Sequence, residues 1–235
     1  MTTKPETIIK KIARSIREPL DKKKTLRRLA HYHSKERSLD EVVDWALDFK
    51  GGGGLYRVKT LQKRSEILSL ATLVNKLAPK LILEIGTERG GTLFIWSAIA
   101  STKVVSCDLQ YMQTQQRLFK RFPPLKSKCE VKLLSGDSHS DSFEKVVREE
   151  LDGELVDFLF IDGDHSESGV RLDFEKYKKF VRKGGLVAFH DIVEDQPLAS
   201  NQVQIFWNQV KSDYEFVEFI DQERQCGYGI GVLKV

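Results

Sequence analysis

Val156-Asp157-Phe158-Leu159-Phe160-Ile161-Asp162-Gly163-Asp164-His165-Ser166 is the stretch on which the reading of this chain turns. The run from Val156 to Ile161 is almost wholly apolar, and from Asp162 onward the chain turns abruptly polar. Strands of a parallel sheet covered by helices on both faces read as near-continuous apolar runs, and ligands bind beyond their carboxyl ends. The stretch therefore predicts a central strand that delivers two aspartates and a histidine to a crevice.

The same pattern recurs on either side of it. Leu81 to Ile85, Val104 to Cys107 and Val131 to Leu134 are apolar runs upstream, and Leu186 to Phe189 is one downstream. A helix through Ile67, Leu70, Leu73 and Leu77 stops before Pro79, and further helices are predicted over 92–100, 167–182 and 201–211. Strands near 216–220 and 229–233 close the domain. Short apolar strands alternating with helices specify an α/β fold of three layers, a mostly parallel sheet between two sets of helices.

The first sixty residues read differently. Ile8, Ile12, Ile16, Leu26 and Leu29 recur at helical spacing, with a break expected at Pro19. Ser38 with Glu41 forms a capping box that opens a helix reaching Phe49. Gly51-Gly52-Gly53-Gly54 then suits a flexible joint. The expected organisation is an N-terminal helical arm or cap over residues 1–60 with a Gly-rich joint, and one main domain over 61–235.

Composition narrows the class. The 235 residues are 40% hydrophobic and 31% charged, ordinary for a globular protein, and no run approaches the length of a membrane span. The basic N-terminus lacks the apolar core and small-residue cleavage site of a secretory signal. Three scattered cysteines form no CxxC pair and suit a reducing compartment, so a cytoplasmic location is expected. Up to Arg37 there are twelve Lys or Arg against four Asp or Glu, although the whole chain carries only +4. A solvated arm is preferred to a nucleic-acid contact, because no aromatic residues interleave the basic ones as stacking platforms.

Every strand end is polar in a way that suggests a site. The first gives Glu84-Ile85-Gly86-Thr87-Glu88-Arg89-Gly90-Gly91, whose glycines let backbone approach a ligand, although the spacing is not GxGxxG. The second ends in Asp108, placed to accept hydrogen bonds from ribose hydroxyls. The third ends in Gly136-Asp137-Ser138, suited to an adenine amine or, equally, to a helix N-cap. The fourth and fifth end in Asp162 to His165 and in Phe189-His190-Asp191. Carboxylates and imidazoles crowded at two neighbouring strand ends are poorly explained as surface charge. His31, His33 and His139 carry no comparable constellation and read as solvated or capping.

Taken together, Glu84-x-Gly86 with Gly90-Gly91, Asp108, Gly136-Asp137, Asp162-Gly163-Asp164-His165-Ser166 and Gly184-Gly185 to Phe189-His190-Asp191 resemble class I S-adenosylmethionine-dependent methyltransferases. The resemblance is closest to the branch of cephalosporin-hydroxylase-like proteins and macrolide-sugar O-methyltransferases, and it covers roughly residues 60–235. It implies a Rossmann-like seven-stranded sheet with an antiparallel last strand, and O-methylation of a small-molecule or sugar hydroxyl. It also implies S-adenosylmethionine bound by Glu84, Gly86, Thr87, Gly90, Asp108, Asp137, Ser138 and Asp162. His165 would be the general base, with Asp162 and His190 beside it as catalytic residues. A divalent metal, Mg²⁺ or Mn²⁺, would lie on Asp162, His190 and Asp191; imidazole at 190 departs from the all-oxygen pattern, and a metal-free reading makes His190 a second proton acceptor. Related enzymes often assemble, so a homo-oligomer is expected. Two alternatives stay open on sequence: a nicotinamide-dependent oxidoreductase of similar fold, and a non-catalytic cofactor-binding protein associated with nucleic acid.

Overall fold

Apolar runs buried on both faces become strands, and the sheet they form decides where a ligand can lie. The structure, a computed structural model, describes the backbone of residues 8–235 and the side chains of 17–235. Strands β1 (Leu81–Ile85), β2 (Lys103–Asp108), β3 (Glu130–Ser135), β4 (Val156–Ile161), β5 (Val181–His190), β6 (Glu215–Phe219) and β7 (Ile230–Lys234) make one sheet, ordered β3-β2-β1-β4-β5-β7-β6. β1 to β5 are parallel, and β7 runs antiparallel to both β5 and β6. This is the expected Rossmann-like arrangement. Strand order reverses between β1 and β4, which opens a crevice at their carboxyl ends.

Alternate side chains of each strand feed two cores. Ile82, Val104, Phe158, Phe160 and Ala188 pack on one face with α1 (Ile8–Tyr32), α2 (Leu39–Leu47), α3 (Arg64–Lys76), α4 (Gly91–Ile99) and α5 (Gln113–Phe119). Leu83, Val105, Leu159, Val187 and Phe189 pack on the other with α6 (Asp141–Leu151), α7 (Glu167–Tyr177) and α8 (Val203–Val210). Trp96 and Trp207 are fully buried, one in each core.

Helix α1 passes through Pro19, which corrects the expected break. An interior proline removes one backbone hydrogen bond, and the turns after it are held by burial of Thr25, Leu29 and Tyr32. Ile8, Ile12 and Ile16 lie outside the described side chains. Helix α2 has the expected capping box, with Ser38 and Glu41 each accepting from the other's backbone N–H. The Tyr32 ring packs at a tilt against Phe94 of α4, centroids 4.6 Å apart, and the Arg28 guanidinium lies 3.7 Å above the Trp45 ring. Trp45 is thus core.

At Gly51 and Gly52, where composition suggests a flexible joint, the chain is packed tightly. A Cβ on Gly52 would overlap the Asp21 backbone of α1. Thr25 Oγ1 accepts from Gly52 N (2.7 Å) and donates to Tyr56 O (2.8 Å). The other departures are local. Helix α7 ends at Tyr177 rather than 182, and β5 begins at Val181. The charged residues Arg182 and Lys183 are absorbed with Gly184 and Gly185 in a register shift between the Val156–Val181 and Phe158–Leu186 pairs.

Candidate active site

A cavity of about 720 Å³ opens at the carboxyl ends of β1 to β5, within the range of small-molecule sites. Its wall includes Gly86, Thr87, Asp108, Ser138, Asp162, His165, His190 and Asp191. Glu84, Gly90 and Asp137, predicted from sequence to touch a cofactor, are not in that wall.

The β1 turn explains part of this. Glu84 is fully buried and accepts from Ser106 Oγ at 2.6 Å. Burial pushes its carboxyl up to about 7, against the donors Ser106 and Thr92. Glu84 therefore supports the turn from behind. Gly86 has φ of +93°, and a Cβ there would overlap the Asp162 carbonyl, so only glycine lets the β1 and β4 loops meet. Thr87 Oγ1 is hydrogen-bonded to Ser106 Oγ and Tyr111 OH. Gly90 caps α4 in the left-handed region, against Phe119 and Phe122.

Asp108 is held by this turn. Its Oδ2 accepts from Thr87 N (3.1 Å) and Glu88 N (2.8 Å), while Oδ1 has only Gln110 N at 3.5 Å. One carboxylate oxygen is thus fixed and the other is left for a ligand. At the end of β3, Asp137 Oδ1 accepts from His139 N at 2.9 Å, a turn-closing bond that takes the carboxylate out of the cavity wall. His139, expected to be solvated or capping, lies in the wall.

The ends of β4 and β5 form one cluster. Asp162 Oδ1 lies 3.4 Å from His165 Nε2 and 3.2 Å from His190 Nδ1. Asp191 Oδ2 lies 3.2 Å from His165 Nδ1, and its Oδ1 lies 3.4 Å from His190 Nδ1. His165 therefore has a carboxylate at each ring nitrogen. Burial would raise the Asp162 carboxyl, but His190 and His165 more than offset it and hold it at about 2. The hydrogen bond to Asp162, helped by Asp191, raises His165 above its ordinary value despite burial. Burial opposes the charged form of His190, yet Asp162 and Asp191 raise it as well. Asp191 has φ of +66°, a strained setting for a non-glycine residue of the kind kept where function needs it.

Two further side chains complete the cluster and carry no local sequence signal. Gln62 Nε2 donates to Asp162 Oδ2 at 3.0 Å, from the segment leading into α3. Asn201 Nδ2 donates to Asp191 Oδ2 at 2.6 Å, and Gln202 N donates to His165 O at 2.7 Å, both just before α8. Tyr228 N donates to Asp191 Oδ1 at 3.2 Å.

That geometry bears on the metal expected on Asp162, His190 and Asp191. The three residues are brought together, but all four carboxylate oxygens already face N–H groups or imidazole nitrogens. Among the described residues no group of three or more His, Cys, Asp or Glu side chains is arranged to hold an ion. As arranged, the carboxylates pair with imidazoles and N–H donors, which suits a store of protons, and an ion on Asp162, His190 and Asp191 would require those pairs to open.

Comparison with known proteins now bears on the whole arrangement. A family model described as a methyltransferase domain matches residues 83–192, from β1 to the end of the β5 cluster. Over that span the chain is similar to methyltransferases. The match decides against the nicotinamide oxidoreductase alternative. Solved structures share the fold at low identity. An O-methyltransferase from Bacillus cereus in complex with SAH is 17% identical, with 86% of this chain and 92% of that one covered and a TM-score of 0.57. TomG from Streptomyces achromogenes, an O-methyltransferase involved in tomaymycin synthesis and in complex with SAM, is 17% identical over 86% and 91%, also at 0.57. MycE, a methyltransferase of the mycinamycin biosynthetic pathway in complex with Mg, SAH and mycinamycin VI, is 16% identical over 86% of this chain and 55% of that one, at 0.54. A 36-residue stretch is 53% identical to the uncharacterized protein R132 of Acanthamoeba polyphaga mimivirus, spanning 15% of this chain and 16% of that protein.

Proposed function

We propose that the chain is an S-adenosylmethionine-dependent O-methyltransferase acting on a hydroxyl of a small molecule. The observation that carries this reading is His165, with a carboxylate at each ring nitrogen, in one cavity with the Gly86–Asp108 turn. The methyltransferase domain supports methyl transfer, and the O-methyltransferases of the same fold that hold SAM or SAH support the cofactor and the acceptor atom.

The residues present fit the cofactor. Asp108 Oδ1 is an oxygen free to take ribose hydroxyls, on a carboxylate whose other oxygen is locked. Bound there, S-adenosylmethionine supplies an already activated methyl group, which leaves the protein with binding, alignment and proton handling. Asp162 and Asp191 orient His165. In its neutral form His165 turns a ring nitrogen from a carboxylate to the acceptor hydroxyl and takes its proton, and both carboxylates stabilise the imidazolium that results. Leu61, Pro197, Leu198 and Tyr228 give the outer wall an apolar surface for the body of the acceptor. Holding the hydroxyl in line with the methyl lowers the barrier mainly through positioning.

Calorimetry tests the reading. S-adenosylmethionine and S-adenosylhomocysteine should both bind, and Asp108→Ala should weaken binding tenfold or more, since charge-assisted hydrogen bonds are worth ~1.5–3 kcal/mol each. A wild-type protein that binds neither at millimolar concentration is not this enzyme.

A further inference from the structure

Glu66 stands in the first turn of α3 and is almost completely buried. Taking a carboxylate out of water is costly unless hydrogen bonds replace the water. Lys63, at the N-cap of the same helix, turns instead to Gln225 Oε1 (3.1 Å) and to Asp221. Three N–H groups meet Glu66. Asp221 N (3.2 Å) and Gln225 Nε2 (2.6 Å) donate to Oε1, and Gly229 N (2.9 Å) donates to Oε2. All three belong to residues 220–229, the segment between β6 and β7. The unpaired N–H groups that open α3 favour a negative charge at this position as well.

The same segment runs alongside the residues that follow β5. Gly227 N donates to Asp195 O, Val193 N donates to Tyr228 O (3.1 Å) and Ile192 N donates to Gly229 O (3.3 Å). At the cavity end of this pairing Tyr228 N donates to Asp191 Oδ1. Asp191 and Tyr228 both have φ of +66°, a left-handed setting that a non-glycine residue keeps only when its surroundings fix it. For Tyr228 the fixing leads back to Glu66. The carboxylate holds Gly229 directly, and it holds Gly227 through Gln225, whose Nε2 also donates to Gly227 O at 3.0 Å.

Resting on the reading of His165 as the base, we propose that Glu66 is a positioning residue for the acid–base cluster, holding Asp191 against His165 through the Tyr228 backbone. Asp191 Oδ2 meets His165 Nδ1 at 3.2 Å. Asn201 Nδ2 fixes that oxygen and Tyr228 N fixes the other, and two contacts are needed to set the plane of a carboxylate. Glutamine at position 66 cannot take over the task. It brings one oxygen to three donors, and its NH2 group would face either Gly229 N or the pair on Oε1.

The test uses the full chain at fixed pH, isotopically labelled at its histidine ring nitrogens, with the His165 signals assigned by their loss in His165→Ala. Glu66→Gln should move the Nδ1 resonance of His165 toward the position it takes in Asp191→Asn. The double variant should show no further shift, because both substitutions act on one contact. A role confined to packing α3 would leave that resonance in place. A folded Glu66→Gln with the wild-type resonance therefore overturns the proposal, as does a shift that adds in full to that of Asp191→Asn. If Glu66→Gln does not fold, Gln225→Ala, on the loop, decides by the same resonance. Calorimetry with S-adenosylhomocysteine keeps the two readings apart: a wild type that does not bind it overturns the methyltransferase reading, whereas the resonance alone decides on Glu66.

Discussion

At the scale of single residues the proposed base is His165. Its Asp162 and Asp191 neighbours raise its proton affinity, so the charged ring persists above its ordinary range. A base must be neutral to act, so turnover should be low on the acid side and climb as pH rises through this raised value. Asp191→Asn removes one of the raising charges, and the acid limb of the kcat/KM profile should move to lower pH; a limb that stays in place separates Asp191 from the base. His165→Ala should cost ~10²–10⁴-fold in turnover. A chelator probes the same residues differently. Because the carboxylate oxygens of Asp162 and Asp191 face N–H groups and imidazoles, full turnover is expected in excess chelator, and loss restored by Mg²⁺ or Mn²⁺ would falsify the proton-store reading. Residues at this scale were legible in sequence by position on a strand, less so by orientation. Asp108 and Asp162 stand at strand ends and line the cavity. Glu84 and Asp137 obey the same rule, yet one is turned into the core and the other onto a backbone N–H. Gln62 and Asn201 reach the cluster from 100 and 10 residues away along the chain. No local spacing announces such contacts.

Elements are legible through their apolar period, and the reading slips where charge or glycine interrupts it. The parallel strands agree with near-continuous apolar runs, and the antiparallel sense of the last one with what the family resemblance implies. Arg182 and Lys183 look like the continuation of a helix, but they occupy a bulge in β5 that Gly184 and Gly185 permit. The four glycines at 51–54 are the sharper case, since flexibility and close approach demand the same residue. The two roles separate by substitution. Gly52 sits against the Asp21 backbone, whereas Gly53 meets only the Asp21 side chain at ordinary contact distance. Gly52→Ala should therefore destabilise the protein by ~1–3 kcal/mol, the usual cost of overpacking, while Gly53→Ala should be near neutral in chemical denaturation. Equal effects at the two positions would return the segment to the role of a joint.

For the whole molecule the question is what the N-terminal helices do for a domain whose family match begins only at residue 83. Basic composition makes this region look like an appendage. Its buried residues argue otherwise: Leu29, Tyr32, Val43 and Trp45 belong to the same core as Phe94, Phe158 and Phe160. Thr25 is fully buried, and its hydroxyl bridges Gly52 N and Tyr56 O. Beyond Tyr56 the chain lays Lys59 against Gly90 and Gly91 and brings Gln62 to Asp162, so α1 and α2 sit behind one wall of the cavity. Deleting residues 1–37 strips Leu29 and Tyr32 from that core, each worth ~1.5–3 kcal/mol when fully buried. For a chain of this size each kcal/mol lost lowers Tm by ~2–4 °C, so calorimetry should show the truncated protein melting ~6–24 °C below the full chain. Cofactor binding should weaken with it, because the loosened Lys59–Gln62 segment no longer steadies Asp162. An unchanged Tm would mean that the helices only decorate the domain, and that the cavity wall stands without them.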